Sequence, residues 1–216
     1  MFANIISLGS FCVTSNMCKH TNMKRFSCPF DWIFSNASMV TDCIETNFAK
    51  FLDKTQYISL NETQCTHKLY DIVDPTFNHH NPSNDQDYEY FKRCVNRFNE
   101  CLASGENTLF IQTVVSNNNN YITSYTDERK LFQFLSRKSA GDFVFCVIVI
   151  TDKMLDKPRF TLEDEKTHGR NKLLVYSFDR TSDCTGVDFV DKLDRDMFSN
   201  LLLHVQNNMN NKFKGV

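Results

Sequence analysis

Glycine and proline are scarce in this chain, with 6 and 4 residues among 216. That scarcity excludes collagen-like and Pro/Gly-rich disordered classes. No apolar run approaches 18 residues, so no transmembrane helix and no membrane partner are expected. Positive charge is not in excess: the formal net charge is −2. No domain-wide positive field would draw in nucleic acid, and no nucleic-acid partner is expected. The opening "MFANIISLGSF" has no basic n-region and reads as a strand, not a secretory signal. There is no Cys-x-x-Cys pair. Cys65-Thr66-His67 and His79-His80 have no second half at zinc-ligand spacing, so no metal is expected. A Gly-rich phosphate loop is also missing, and no cofactor is expected.

What is abundant is phenylalanine, at 20 residues, and hydrophobic residues make up 41%. That suffices for a sizeable core, and the length suits a single domain over residues 1–216. Nine cysteines, an odd number with no signal peptide, predict free thiols in a reducing compartment, hence a cytoplasmic location. Asparagine runs at Asn117 to Asn120 and around Asn207 to Asn211 suit an A/T-rich genome. Two basic clusters, Lys19/Lys24/Arg25 and Lys92/Arg93/Arg97, read as solvated surface.

Hydrophobic patterning alternates between strand and helix. Ile5 to Leu8 reads as a short buried strand that ends at Gly9. A helix over 11–20 follows, with Ser10 as its cap. "SCPFDWIF" (27–34) is irregular, aromatic and tucked into the core. A helix is expected over 38–52, capped by Asn36 or Ser38, and "TQYISL" suggests a strand. "LYDIVDPTFNHHNPSND" (69–85) reads as loop. Helical spacing of Phe91, Cys94, Val95, Phe98, Cys101 and Leu102 predicts a helix over 85–103. "TLFIQTVV" (108–115), "DFVFCVIVI" (142–150) and "KLLVYSF" (172–178) are strands, and 126–138 is a helix. The continuous apolar run at 142–150 points to burial on both faces, as in a parallel sheet. Segments 116–124 and 156–171 are expected to be surface loops. A last helix over 189–209 would carry Leu193, Met197, Leu201, Val205 and Met209 on its core stripe. The pattern predicts an α/β domain with a mostly parallel central sheet flanked by helices.

In such a sheet, ligands bind at the carboxyl ends of the strands, where Gly9 to Cys12 would lie. A cysteine in the first turn of a helix has its thiolate favoured by unpaired N–H groups. Cys12 is therefore the candidate nucleophile, weighed against a buried structural cysteine. It needs a histidine base, and His79 and His80 lie in a loop, a usual setting for functional residues. His20 is two turns along the same helix as Cys12 and cannot meet it. Gly9-Ser10 faintly resembles the nucleophile block of SGNH-type esterases. Those carry an acidic residue between Gly and Ser, and an Asp-x-x-His pair near the C-terminus. This chain has neither; Asp196 and His204 are eight apart.

Together, "ISLGSFC", "SCPFDWIF", "FAKFLD", "FNHH", "YFKRCVNRFNECLASGENTLFI" and "FVFCVIVI" resemble the DUF1796 family over about residues 5–150. That family is described as papain-like cysteine peptidases. The resemblance implies Cys12 as nucleophile, His79 as general base and Asp31 of Pro-Phe-Asp-Trp as the group that orients the imidazole. It implies a protein or peptide substrate. A papain-like α+β fold is the alternative to the α/β reading. His80 departs from the family's usual Asp, and Cys94 lies in a helix usually richer in Arg. Asn-rich, Gly-poor composition would suit a giant-virus member. Two other functions stay open. One is a non-enzymatic virion or host-interaction module, favoured by buried Cys12 and Asp31 with no pocket at the strand ends. The other is a transferase or SGNH-like esterase that uses Ser10 in the same crevice.

Overall fold

A computed structural model describes residues 2–70, 72, 75–115 and 125–214, with side chains up to 208. Its centre is a five-stranded sheet in the order β1-β4-β5-β7-β6. The strands are β1 (Asn4–Ser7), β4 (Thr108–Val115), β5 (Phe143–Met154), β6 (Arg159–His168) and β7 (Asn171–Arg180). β1, β4, β5 and β7 run parallel, and β6 pairs antiparallel with β7. A small antiparallel pair, β2 (Tyr57–Ser59) and β3 (Cys65–His67), stands apart from it.

Alternation along β5 decides the layering, because successive side chains point to opposite faces. Phe143, Phe145, Val147 and Val149 join one buried cluster. That cluster includes side chains of α2 (Ala37–Glu45), α3 (Asp85–Ala103) and α4 (Thr126–Lys138). Val144, Cys146, Ile148 and Ile150 join a second cluster, with side chains of α1 (Cys12–His20) and α5 (Lys192–Lys214). The result is the three-layer α/β sandwich expected from the sequence, not the α+β alternative. The nine cysteines are free thiols, eight of them buried.

Four expectations are corrected. The helix expected over 38–52 stops at Glu45, after which Asn47 and Phe48 take positive φ and turn the chain. Asn36 caps it, accepting from Met39 N at 2.8 Å. Residues 159–168, expected in a surface loop, form β6. An edge strand with one wet face tolerates charge, and charge on an edge deters unwanted pairing. The α5 stripe is turned from the expected one: Leu193 is exposed, while Asp194, Phe198, Leu201, Leu202 and Val205 are buried. Asp194 can take that place because its carboxylate accepts from Thr181 N, Ser182 N and Ser182 Oγ. Ser10 does not cap α1. Phe11 holds the N-cap position without a side-chain bond, and Ser10 Oγ donates to Thr113 O instead. The loop expected at 116–124 lies outside the described residues.

Candidate active site

The carboxyl end of β1 is tied to its neighbours atom by atom. Leu8 N donates to Ile111 O at 2.7 Å and Ser10 N to Thr113 O at 3.0 Å. Thr14 Oγ1 of α1 returns to Gly9 O at 2.8 Å. Ser35 Oγ donates to Leu8 O at 3.0 Å, which brings the Pro-Phe-Asp-Trp segment against the same turn. Gly9 has φ +83, and a Cβ there would lie 1.9 Å from Ser35 Oγ. Only glycine fits that approach without a shift.

Cys12 is the first residue of α1, at the carboxyl end of β1. It is 2% exposed. Burial pushes its thiol up to about 11; its own N–H and Lys24 act downward, and Asp31 acts upward. Asp31 is equally buried and accepts from Cys28 N at 2.6 Å. Its carboxylate is paired with Lys24 Nζ at 2.7 Å. Burial raises the Asp31 carboxyl, although Lys24, Cys28 N–H and Ser15 oppose it. A charge taken out of water costs more than these partners return.

Lys24 is the residue that sequence reasoning misplaced. It is not solvated surface: its side chain is 12% exposed. Nζ donates to Ser15 Oγ on α1 and lies over the Trp32 ring, 5.0 Å from its centroid. No periodicity signals this, because the segment between α1 and α2 is irregular. The cue available was an acid seven residues on, inside an aromatic motif. His79 is exposed and packs nearly perpendicular to Trp32, with ring centroids 6.0 Å apart. Partial burial, then neighbouring His80, lowers its imidazole below the usual value. His80 instead pairs with Asp87 at 2.9 Å and stacks on Tyr90.

His79 and Asp31 are thus linked through intermediates that also reach the helix of Cys12, though not Cys12 itself. Contacts run from His79 to Trp32, to Lys24, and from Lys24 both to Asp31 and to Ser15 of α1. Among the described residues, no hydrogen bond joins a histidine to Cys12 or Asp31. No group of three or more metal-ligating side chains stands together among them.

Beside this cluster, at the ends of β1 and β4, lies a cavity of about 390 Å³. Ser10, Phe11, Phe34, Ser35 and Val114 line it, with Asp127 and Glu128 from the start of α4. Its place is the one where open α/β sheets bind ligands, and its size is at the small end of ligand pockets. Cys12 does not line it. The burial of Cys12 and Asp31 matches the non-enzymatic alternative, whereas the presence of the cavity does not.

A family model described as "Putative papain-like cysteine peptidase (DUF1796)" matches residues 3–154. The chain belongs to the DUF1796 family. The matched span covers β1 through the whole of β5, including Cys12, Asp31, His79 and the walls of the cavity. No curated protein and no solved structure matches the chain. The family's description supports the general reading of a hydrolase. No described helix is long and apolar enough to cross a membrane.

Proposed function

We propose that the chain is a cysteine hydrolase acting on a protein or peptide substrate, with Cys12 as nucleophile and His79 as base. The observation that carries this reading is the position of Cys12, first residue of a helix that leaves the carboxyl end of β1 beside a cavity. Membership of a family described as cysteine peptidases supports it. In the resting arrangement Cys12 is a buried thiol. Substrate entering the crevice brings an acyl carbon to it. His79 takes the thiol proton as sulfur bonds to that carbon, and returns it to the leaving amine. That transfer requires His79 to come within hydrogen-bond reach of Cys12, since Trp32 and Lys24 stand between them in the resting arrangement. Water then cleaves the acyl-enzyme. Val13 N is already committed to Gly186 O at 2.8 Å, so the N–H groups of Phe11 and Cys12 are assigned to the oxyanion. Asp31, bound to Lys24 and Cys28 N, is given an indirect part: it fixes the lysine beneath Trp32, against which His79 packs.

The test is turnover of a mixed peptide library by the full chain, with Cys12→Ala and His79→Ala alongside. Cleavage lost in both supports the assignment; cleavage kept in Cys12→Ala removes it. A second reading rests on one observation, that Ser10 rather than Cys12 lines the cavity. An esterase or transferase using Ser10 would be labelled there by a serine-directed fluorophosphonate. Ser10 Oγ donating to Thr113 O weighs against it.

A further inference from the structure

The buried Lys24–Asp31 pair lies amid four thiols, all within its electrostatic reach: Cys12, Cys18, Cys28 and Cys94. A lysine ammonium is rarely placed so deep without a task or a partner. Here it has three contacts. Asp31 holds it at 2.7 Å, Trp32 covers it, and its third bond goes to Ser15, one turn along α1 from Cys12. Residues three apart share a helix face, so Ser15 brings the ammonium to the face that carries Cys12. The segment is fixed to the same helix by its backbone, since Met23 N and Lys24 N both donate to Cys18 O.

We propose that Lys24, anchored by Asp31 and Ser15, is the positioning residue that supplies the positive charge for the Cys12 thiolate. The field alone does not choose among the four thiols; the helix start does. Cys18 is wholly buried and pushed up to about 12, and Cys28 is raised well above the ordinary value. Cys94 lies within α3. Cys12 alone begins a helix, with its own N–H directed to its sulfur. The charged groups acting on Cys12 are Asp31, which raises its thiol, and more weakly Lys24, which lowers it and so offsets part of the carboxylate's effect. An opposite charge close to a thiol lowers its pKa and a like charge raises it, each by a unit or more.

This rests on Cys12 being the nucleophile, yet its test does not require turnover. The rate of Cys12 alkylation by iodoacetamide is followed against pH on the full chain, with the modified peptide quantified by mass spectrometry. Lys24→Met is expected to slow labelling roughly ten-fold at a given pH and shift the profile upward by about one unit. Lys24→Arg is expected to restore the wild-type profile, and Asp31→Asn to speed labelling. Ser15→Ala, a mild change that frees Lys24 from α1, is expected to slow it and stands in should Lys24→Met not fold. A merely structural pair gives a different pattern: every variant loosens the fold and speeds labelling. That pattern, or rates unchanged in both Lys24→Met and Ser15→Ala, overturns the proposal. Selective labelling by a peptide-based electrophile tests the nucleophile separately, so the two failures are distinguishable.

Discussion

At the scale of single residues, two features of the β1–α1 turn have measurable consequences. Gly9→Ala forces an L side chain into φ +83 and drives its Cβ against Ser35 Oγ at 1.9 Å. Left-handed backbone alone costs about 1–2 kcal/mol, and the clash adds to it. Denaturant unfolding is expected to show a loss of at least ~2 kcal/mol; a loss near zero would show that the turn adapts. Cys12 is held as a thiol by burial, up to about 11. Alkylation proceeds through the thiolate, so its rate in the resting protein should rise about ten-fold per pH unit from neutral toward that value. A plateau near the ordinary ~8.5 would contradict the burial. The lowered imidazole of His79 has the opposite consequence for turnover. A base must be neutral, so activity should persist at neutral pH and fall only as pH drops below the usual histidine value of about 6.5. The place of Cys12 at a helix start was legible from sequence because a strand, a glycine and a helix start are local signals. Lys24 was not, since its burial depends on Asp31 and Trp32 closing over it from an irregular segment.

Among the elements, the two faces of the sheet set the cost of mutation. Phe145 on β5 is wholly buried, and Phe145→Ala should cost about 3–5 kcal/mol through lost burial and the cavity left behind. Leu162 on the edge strand β6 is 45% exposed, and Leu162→Lys should stay within about 0.5 kcal/mol. The shift of the denaturant midpoint at constant slope reads both. Equal losses would mean that β6 is packed as deeply as β5. The same contrast explains what patterning could resolve. β4, β5 and β7 announce themselves as apolar runs buried on both faces. β6 hides, because "RFTLEDEKTH" has the composition of a loop and becomes a strand only by pairing with β7. α5 was found, but its rotation was not: a buried aspartate that accepts three hydrogen bonds cannot be told from a surface one by hydropathy.

For the molecule as a whole, the fold places Cys12, the crevice and the Pro-Phe-Asp-Trp segment at one end of a parallel sheet. That convergence follows from β1 and β4 pairing side by side across a hundred residues of chain. Spacing in the sequence implied the end of the sheet but not the order of contacts there, which puts Trp32 and Lys24 between His79 and α1. In the function proposed above, substrate must engage a thiol that is otherwise buried. The most direct measurement is labelling of the full chain at neutral pH by a panel of peptide-based electrophiles, with every modified cysteine mapped by mass spectrometry. If Cys12 is the nucleophile, the label goes to Cys12 at one per chain, and His79→Ala slows it. Label spread over several cysteines, or confined to the partly exposed Cys184, would contradict that assignment.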